Sequence, residues 1–112
     1  TEAMPGDILP VVLYWHAKQP IEINYQVFVQ LLDAGGQRVS GSDGQPALWT
    51  RPTTSWHPGE SIVDRHALQL PADLVPAEYT LIAGLYLAAD GQRLAAEDGR
   101  NAAPIHMVRV GR

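Results

Sequence analysis

Two residues on one predicted strand, Asp64 and His66, have the types needed for acid–base chemistry. In SIVDRHALQL at 61–70 they stand two positions apart, so an extended strand places them on the same face. A carboxylate beside an imidazole is the arrangement that orients a general base. The other interpretation is a hydrogen-bonded pair that ties the strand to a neighbouring loop. Because nothing marks a serine as the nucleophile of a triad, we favour this structural pair and expect no catalytic residue and no enzyme.

Metal-ligating residue types are present but dispersed. Four histidines lie on four different predicted segments, and none has the short local spacing of a zinc site: His16, His57, His66 and His106. Four aspartates have the oxygen ligands that calcium takes: Asp33, Asp43, Asp90 and Asp98. The last three directly precede a glycine, and Asp-Gly is typical of tight turns. We therefore predict no metal site and no cofactor.

The segment GQPALWTRPTTSWHPGE at 44–60 differs from the rest of the chain, since it has three prolines, two tryptophans and almost no apolar alternation. Aromatic side chains on such a loop can stack on a sugar ring or a partner surface. We predict that Trp49 is the exposed contact and that Arg51 and His57 assist it in binding a ligand. Trp56, beside the Pro58-Gly59 turn, is instead expected to plug the open end of the core.

The elements that must position these residues are short strands. The clearest is 21–31, where the odd positions are apolar and the even ones polar except Phe28, so we expect Ile21, Ile23, Tyr25 and the later odd residues to point inward. Residues 11–17 alternate likewise between Pro10 and Pro20. Turn residues at 33–36 and 90–91 predict hairpins. The remaining strands are predicted at 38–42, 61–70, 79–87, 93–96 and 105–110.

The strand pattern predicts an all-β domain. Short strands separated by turn residues, without a convincing helix, favour an antiparallel sandwich of about seven strands, of the immunoglobulin or fibronectin-III type. A closed barrel is the alternative. In LVPAEY at 74–79 a tyrosine opens a strand just after a proline corner, which predicts a tyrosine corner with the Tyr79 hydroxyl bonded to backbone near 73–75.

Length and composition limit the possible functions. With 112 residues, 46% of them hydrophobic and 18% charged, the chain fits one soluble globular domain spanning 1–112. A net charge of −4 with a single lysine provides no basic surface for nucleic acid. The longest apolar runs are too short to cross a bilayer. A start at Thr1 without a signal region suggests a piece excised from a longer chain.

Several stretches together resemble a known family: PGDILPVVLYW at 5–15, YQVFVQLLDAGGQRVSGSDGQP at 25–46, RPTTSWHPGE at 51–60 and LPADLVPAEYTLIAGLYL at 70–87. They are similar to the β-sandwich domain that follows the membrane segments of bacterial multi-pass glycosyltransferases of the protein-mannosyltransferase-like type, and to related stand-alone modules. The shared residues form turns, strands and the proline corner, so they indicate architecture more than activity. Ala77 departs from the glycine more common at such corners.

The resemblance implies a noncatalytic accessory module on the extracytoplasmic face of the bacterial membrane. The catalytic acidic residues of those transferases lie in loops between membrane helices, so none is carried over to this chain. The module would contact a glycan, a protein acceptor or a neighbouring domain of a membrane-embedded protein. The alternative is a stand-alone β-sandwich that binds a protein, as a small protease inhibitor does.

Overall fold

The computed structural model describes residues 2–44, 51–95 and 102–111, and over these ranges the chain is all-β. A single turn of 3-10 helix, Thr53–Ser55, is the one helical element described. The strands are β1 (Glu2–Ala3), β2 (Ile8–His16), β3 (Gln26–Leu32), β4 (Arg38–Gly44), β5 (Ser61–Gln69), β6 (Ala77–Tyr86) and β7 (Ala103–Val110). The predicted all-β class and the number of strands are confirmed.

The strands form two sheets. One has five strands in the order β1-β7-β6-β3-β4, and the other contains β2 and β5 alone. All pairings are antiparallel except that of β1 with β7. The order β7-β6-β3-β4 matches the G-F-C-C′ order of an immunoglobulin sheet, and β2-β5 matches its B–E pair. The immunoglobulin-like arrangement is therefore confirmed.

The core lies between the two sheets. Val27, Val29 and Leu31 of β3 are fully buried there, as their alternation predicted. The inward side chains of β2 also alternate as expected, with Val11 and Leu13 buried and Trp15 packed against the cluster. Other strands complete the core with Ile62, Leu68, Leu81, Ala83, Leu85, Val108 and Val110.

The predicted strand 21–31 was wrong in its first half. The strand begins at Gln26, and Ile23 points into solvent instead of the core. The cause is Thr53, which is fully buried. Its hydroxyl donates to the Ile23 carbonyl at 2.6 Å and accepts from the Tyr25 N–H at 3.0 Å. The backbone at 23–25 is thus bonded to a side chain instead of a neighbouring strand, although Ile21 and Tyr25 still pack against the core.

Two other predicted boundaries also differ. Pro10 was expected to precede a strand, but β2 begins at Ile8 and runs through it, with Pro10 opposite Ala67. The predicted strand at 93–96 is only an isolated bridge between Arg93 and Tyr86, and position 96 lies outside the described residues. The seventh strand is β1 instead.

Local turn chemistry follows the sequence closely. Asp33 Oδ1 accepts hydrogen bonds from the N–H groups of Gly35 and Gln37, and Gly36 has a φ of +82°, so the β3–β4 hairpin forms where predicted. Tyr79 is buried, and its hydroxyl donates to the Val75 carbonyl at 2.6 Å. The tyrosine corner is confirmed.

Candidate functional site

The loop from Arg51 to Glu60 is built around a buried tryptophan. The Trp56 indole N–H donates to the Arg51 carbonyl at 3.0 Å, and its ring stacks on Trp15 of β2 with a centroid separation of 6.0 Å. Trp56 is buried, as predicted for a plug at the end of the core. The described part of the loop is therefore anchored to the two-stranded sheet.

Arg51 and His57 come together around one carboxylate. Arg51 Nη2 donates to Glu60 Oε1 at 2.7 Å and to the Ser55 carbonyl at 3.0 Å, while its Nε donates to the Ser55 hydroxyl. The backbone N–H of His57 also donates to Glu60 Oε1, and the His57 side chain is exposed. The Arg51 hydrogen bond and then the His57 N–H lower the pKa of Glu60 to about 2.

The three predicted ligand-binding residues therefore have different positions. Trp49 lies outside the described residues. The Arg51 guanidinium donates to Ser55 and Glu60 and so stabilises the loop. The exposed His57 ring makes no hydrogen bond or ion pair within the described part of the chain. Ligand binding by Trp49, Arg51 and His57 stays a prediction.

A chain of hydrogen-bonded polar side chains, buried at its centre, crosses from one sheet to the other beside this loop. His66 Nε2 lies 2.8 Å from Asp64 Oδ2, and His66 Nδ1 lies 3.1 Å from the hydroxyl of Ser42 on β4. Trp15 Nε1 donates to the same Asp64 oxygen at 3.0 Å. We call Trp15, Asp64, His66 and Ser42 the inter-sheet polar chain. The predicted Asp64–His66 pair is present, and the structure adds the serine that sequence reasoning missed.

The sequence contains only a weak signal for Ser42. The hairpin register places Ser42 opposite Val29, so its side chain shares the inward face of the sheet with a core residue. The proximity of Ser42 to His66 depends on how the edge strand β4 of one sheet approaches β5 of the other, which no local pattern encodes.

The inter-sheet polar chain has the connectivity of a catalytic triad but not its access. The Asp64 and His66 side chains are buried, and no buried side-chain nitrogen or oxygen in the described residues lacks a hydrogen-bond partner. Two cavities in the described residues, of about 540 and 170 Å³, are not lined by Trp15, Ser42, Asp64 or His66. A triad needs space for substrate and donors for an oxyanion beside its serine. The hydrogen bonds of these four residues connect β2 and β5 of one sheet with β4 of the other.

The outer face of the β2–β5 sheet is exposed and mostly apolar. It consists of the β2 side chains of Ile8, Pro10, Val12, Tyr14 and His16 and the β5 side chains of Ser61, Val63, Arg65, Ala67 and Gln69. Ile8 and Tyr14 are each 64% exposed, and Val12 is 46% exposed. Arg65 is the charged residue on this face, opposite Val12, and makes no hydrogen bond or ion pair with the described residues.

The same sheet leaves one edge of β2 unpaired by the described residues. In an immunoglobulin constant domain the first strand pairs with this edge, but here β1 pairs with β7 of the other sheet. The Leu70 N–H bonds to the Asp7 carbonyl, which sets the hydrogen-bonding phase of the β2–β5 ladder. The backbone groups of Ile8, Pro10, Val12, Tyr14 and His16 consequently point to the free edge. Proline is tolerated there because its missing N–H faces outward.

Fold and site together define an immunoglobulin-like β-sandwich domain with an exposed apolar sheet face. Comparisons with protein-family models, with curated proteins and with solved structures found no match. In the described residues no helix is long and apolar enough to cross a membrane, and no cluster of three or more histidine or acidic side chains is placed to hold a metal ion.

Proposed function

We propose that this domain is a noncatalytic, extracytoplasmic accessory module of a membrane glycosyltransferase-like protein, and that it binds a neighbouring domain through the outer face of the β2–β5 sheet. The family and location rest on the resemblance of the stretches at 5–15, 25–46, 51–60 and 70–87. The binding role rests on one structural observation, the contiguous exposure of Ile8, Val12, Tyr14 and Val63 on that face.

The exposed apolar area favours a protein partner. Full burial of a side chain of the size of Ile8 or Val12 is worth about 1.5 to 3 kcal/mol, so a surface that covers this face gains several kcal/mol from it. Tyrosine is also enriched at protein interfaces because it buries a large rigid ring and keeps a polar end. Tyr14 lies beside Val12 and Val63 on this face.

Arg65 specifies the chemistry of the partner. Its guanidinium has no carboxylate to pair with in the described residues, and covering it with an apolar surface would leave a buried charge unpaired. The partner surface should therefore be apolar with one carboxylate facing Arg65. The face itself carries no aspartate or glutamate, so a second copy packed face to face would provide no such group.

Site-specific cross-linking tests this proposal. A photo-reactive phenylalanine analogue is placed at Tyr14 of the complete protein in the organism that encodes it, and cross-linked peptides are identified by mass spectrometry. We expect cross-links to a domain of a membrane glycosyltransferase-like polypeptide, near an acidic residue. Arg65→Glu should abolish them by placing two like charges together.

The matched control is the same analogue at Val75, which is 67% exposed but lies in the corner before β6. It should give no such cross-link. A cross-link from Tyr14 to a second copy or to phospholipid would contradict the proposal, and so would the absence of any cross-link. Equal cross-linking from Tyr14 and Val75 would also contradict it.

A further inference from the structure

A second candidate site lies on the outer face of the five-stranded sheet, around an apolar residue of β3 that stands between two polar ones. Phe28 points outward between Gln26 and Gln30, yet it is only 2% exposed. The Arg93 guanidinium covers it, with Cζ 4.2 Å from the ring centroid. On β6 the residue opposite Phe28 is Gly84, which has no side chain to obstruct the Arg93 arm.

A small cavity of about 170 Å³ opens beside this pair. The lining residues come from β3, β4, β6 and the turn after β6: Phe28, Gln30, Asp43, Tyr86, Gly91 and Arg93. The Tyr86 hydroxyl lies 2.9 Å from Gln26 Oε1 and 3.2 Å from Asp43 Oδ2. Partial burial raises the pKa of Tyr86, and the nearby Asp43 charge raises it further, so the hydroxyl stays a donor at neutral pH.

The polar groups of the cavity keep unused hydrogen-bonding capacity. Arg93 makes no hydrogen bond or ion pair with the described residues, so the donors of its guanidinium are available. Among the described residues, Asp43 accepts a hydrogen bond from Tyr86 alone and forms no ion pair with Arg93. The cavity thus presents one anionic acceptor, one cationic donor, and the side-chain amide of Gln30.

We propose that this cavity binds a neutral, hydroxyl-rich ligand of about the size of one sugar ring. Hydroxyl groups donate to a carboxylate and accept from a guanidinium, so a polyol satisfies both charged groups at once. The Asp43 carboxylate would repel an anion, and the Arg93 guanidinium would repel a cation. An apolar ligand would leave both charges desolvated without partners. The volume lies below the roughly 300 to 1,000 Å³ of drug-sized ligand sites, which limits the occupant to a single ring.

Titration of the isotope-labelled chain with methyl glycosides of the common neutral hexoses, followed by NMR, tests the proposal. At least one should bind saturably in the millimolar range, with shifts concentrated at Gln30, Asp43, Tyr86 and Arg93. Arg93→Ala and Asp43→Ala should each weaken binding at least tenfold. Arg109→Ala, an exposed arginine on β7, should leave the affinity unchanged.

A charge-altering variant distinguishes a loss of binding at this cavity from a loss of folded structure. Asp43→Asn keeps the shape of the side chain and leaves Arg93 uncompensated, so the variant should bind methyl glucuronide more tightly than the wild type does. Circular dichroism verifies that each variant is folded. Three outcomes would overturn the proposal. They are the absence of saturable binding of any neutral glycoside, chemical-shift changes centred on residues 51–60, and an affinity of Asp43→Asn for methyl glucuronide equal to that of the wild type. The cavity lies on the sheet opposite the β2–β5 face, so this result is independent of the cross-linking result.

Discussion

The Asp64 carboxylate and the His66 imidazole lie 2.8 Å apart on the inward face of β5, and together they link both sheets. Asp64 also accepts from Trp15 of β2, and His66 contacts Ser42 of β4. Because an ionised carboxylate only accepts, His66 Nε2 carries a proton and Nδ1 can accept from the serine hydroxyl. One buried acceptor thus fixes the orientation of three side chains.

We predict that Asp64→Ala lowers the free energy of unfolding by about 3 kcal/mol, since it leaves the Trp15 and His66 donors buried without an acceptor. The measurement is urea denaturation followed by tryptophan fluorescence. Asp73→Ala, at an exposed position in the corner before β6, is the control and should stay within about 0.5 kcal/mol. Similar midpoints for the two variants would show that the inter-sheet polar chain is not stabilising.

The tyrosine corner predicts the effect on stability of removing one atom, the Tyr79 hydroxyl oxygen. Tyr79→Phe removes the hydroxyl that donates to the Val75 carbonyl and should lower the free energy of unfolding by about 1 kcal/mol, the net value of one such hydrogen bond. Tyr14→Phe removes a hydroxyl from an exposed ring and should have almost no effect. Chemical denaturation of both variants provides the comparison, and equal stabilities would refute the role of the Tyr79 hydroxyl.

The two tryptophans of the 44–60 segment should respond differently to truncation. Trp56 is buried against Trp15, so Trp56→Ala should cost about 3 to 5 kcal/mol. The prediction for Trp49, which lies outside the described residues, is that Trp49→Ala stays within about 0.5 kcal/mol. Thermal unfolding of both variants measures the difference. Comparable destabilisation would mean that Trp49 also packs, and the predicted ligand-binding role of Trp49 would lose its basis.

Glu60 links the stability of the loop to pH. Its pKa is lowered from 4.5 to about 2 in the folded chain, chiefly by the hydrogen bond from Arg51. A lowered pKa means that the unfolded chain binds the proton more readily, so the stabilisation is complete above pH 4.5 and is lost as the pH falls toward 2. The stability difference between wild type and Glu60→Gln should therefore shrink over that interval. Because the pair is partly exposed, added salt should also reduce this difference. A pH-independent difference would contradict the assignment of the lowered pKa to Glu60.

The features predicted correctly from the sequence are those determined by neighbouring residues. The Asp33 turn, the Tyr79 corner and the inward alternation of 27–31 each depend on residues within a few positions of one another. The start of β3 at Gln26, and not at position 21, could not be predicted from the alternation. Thr53 bonds to the backbone of Ile23 and Tyr25 from about thirty positions away in the chain. Proximity of that kind depends on the packing of the whole domain.

The candidate sites show the same division. The pairing of Asp64 with His66 follows from strand periodicity, whereas the approach of Ser42 depends on the spacing of two sheet edges. Phe28 could be recognised in the sequence as an exception to the alternation. Its partner Arg93 could not, because Arg93 lies in the turn after β6 and reaches Phe28 only through the pairing of β3 with β6. An apolar residue on a polar face is thus a useful signal even when its partner cannot be identified.

Pro10 also has a consequence for the behaviour of the chain at high concentration. An exposed strand edge with a continuous row of N–H and C=O groups can template the addition of further strands and lead to fibrillar aggregates. The ring nitrogen of Pro10 interrupts this row two residues after the start of β2, on the edge that no described strand covers. We therefore expect Pro10 to weaken the addition of further strands at this edge, although the N–H groups from Val12 onward remain available there.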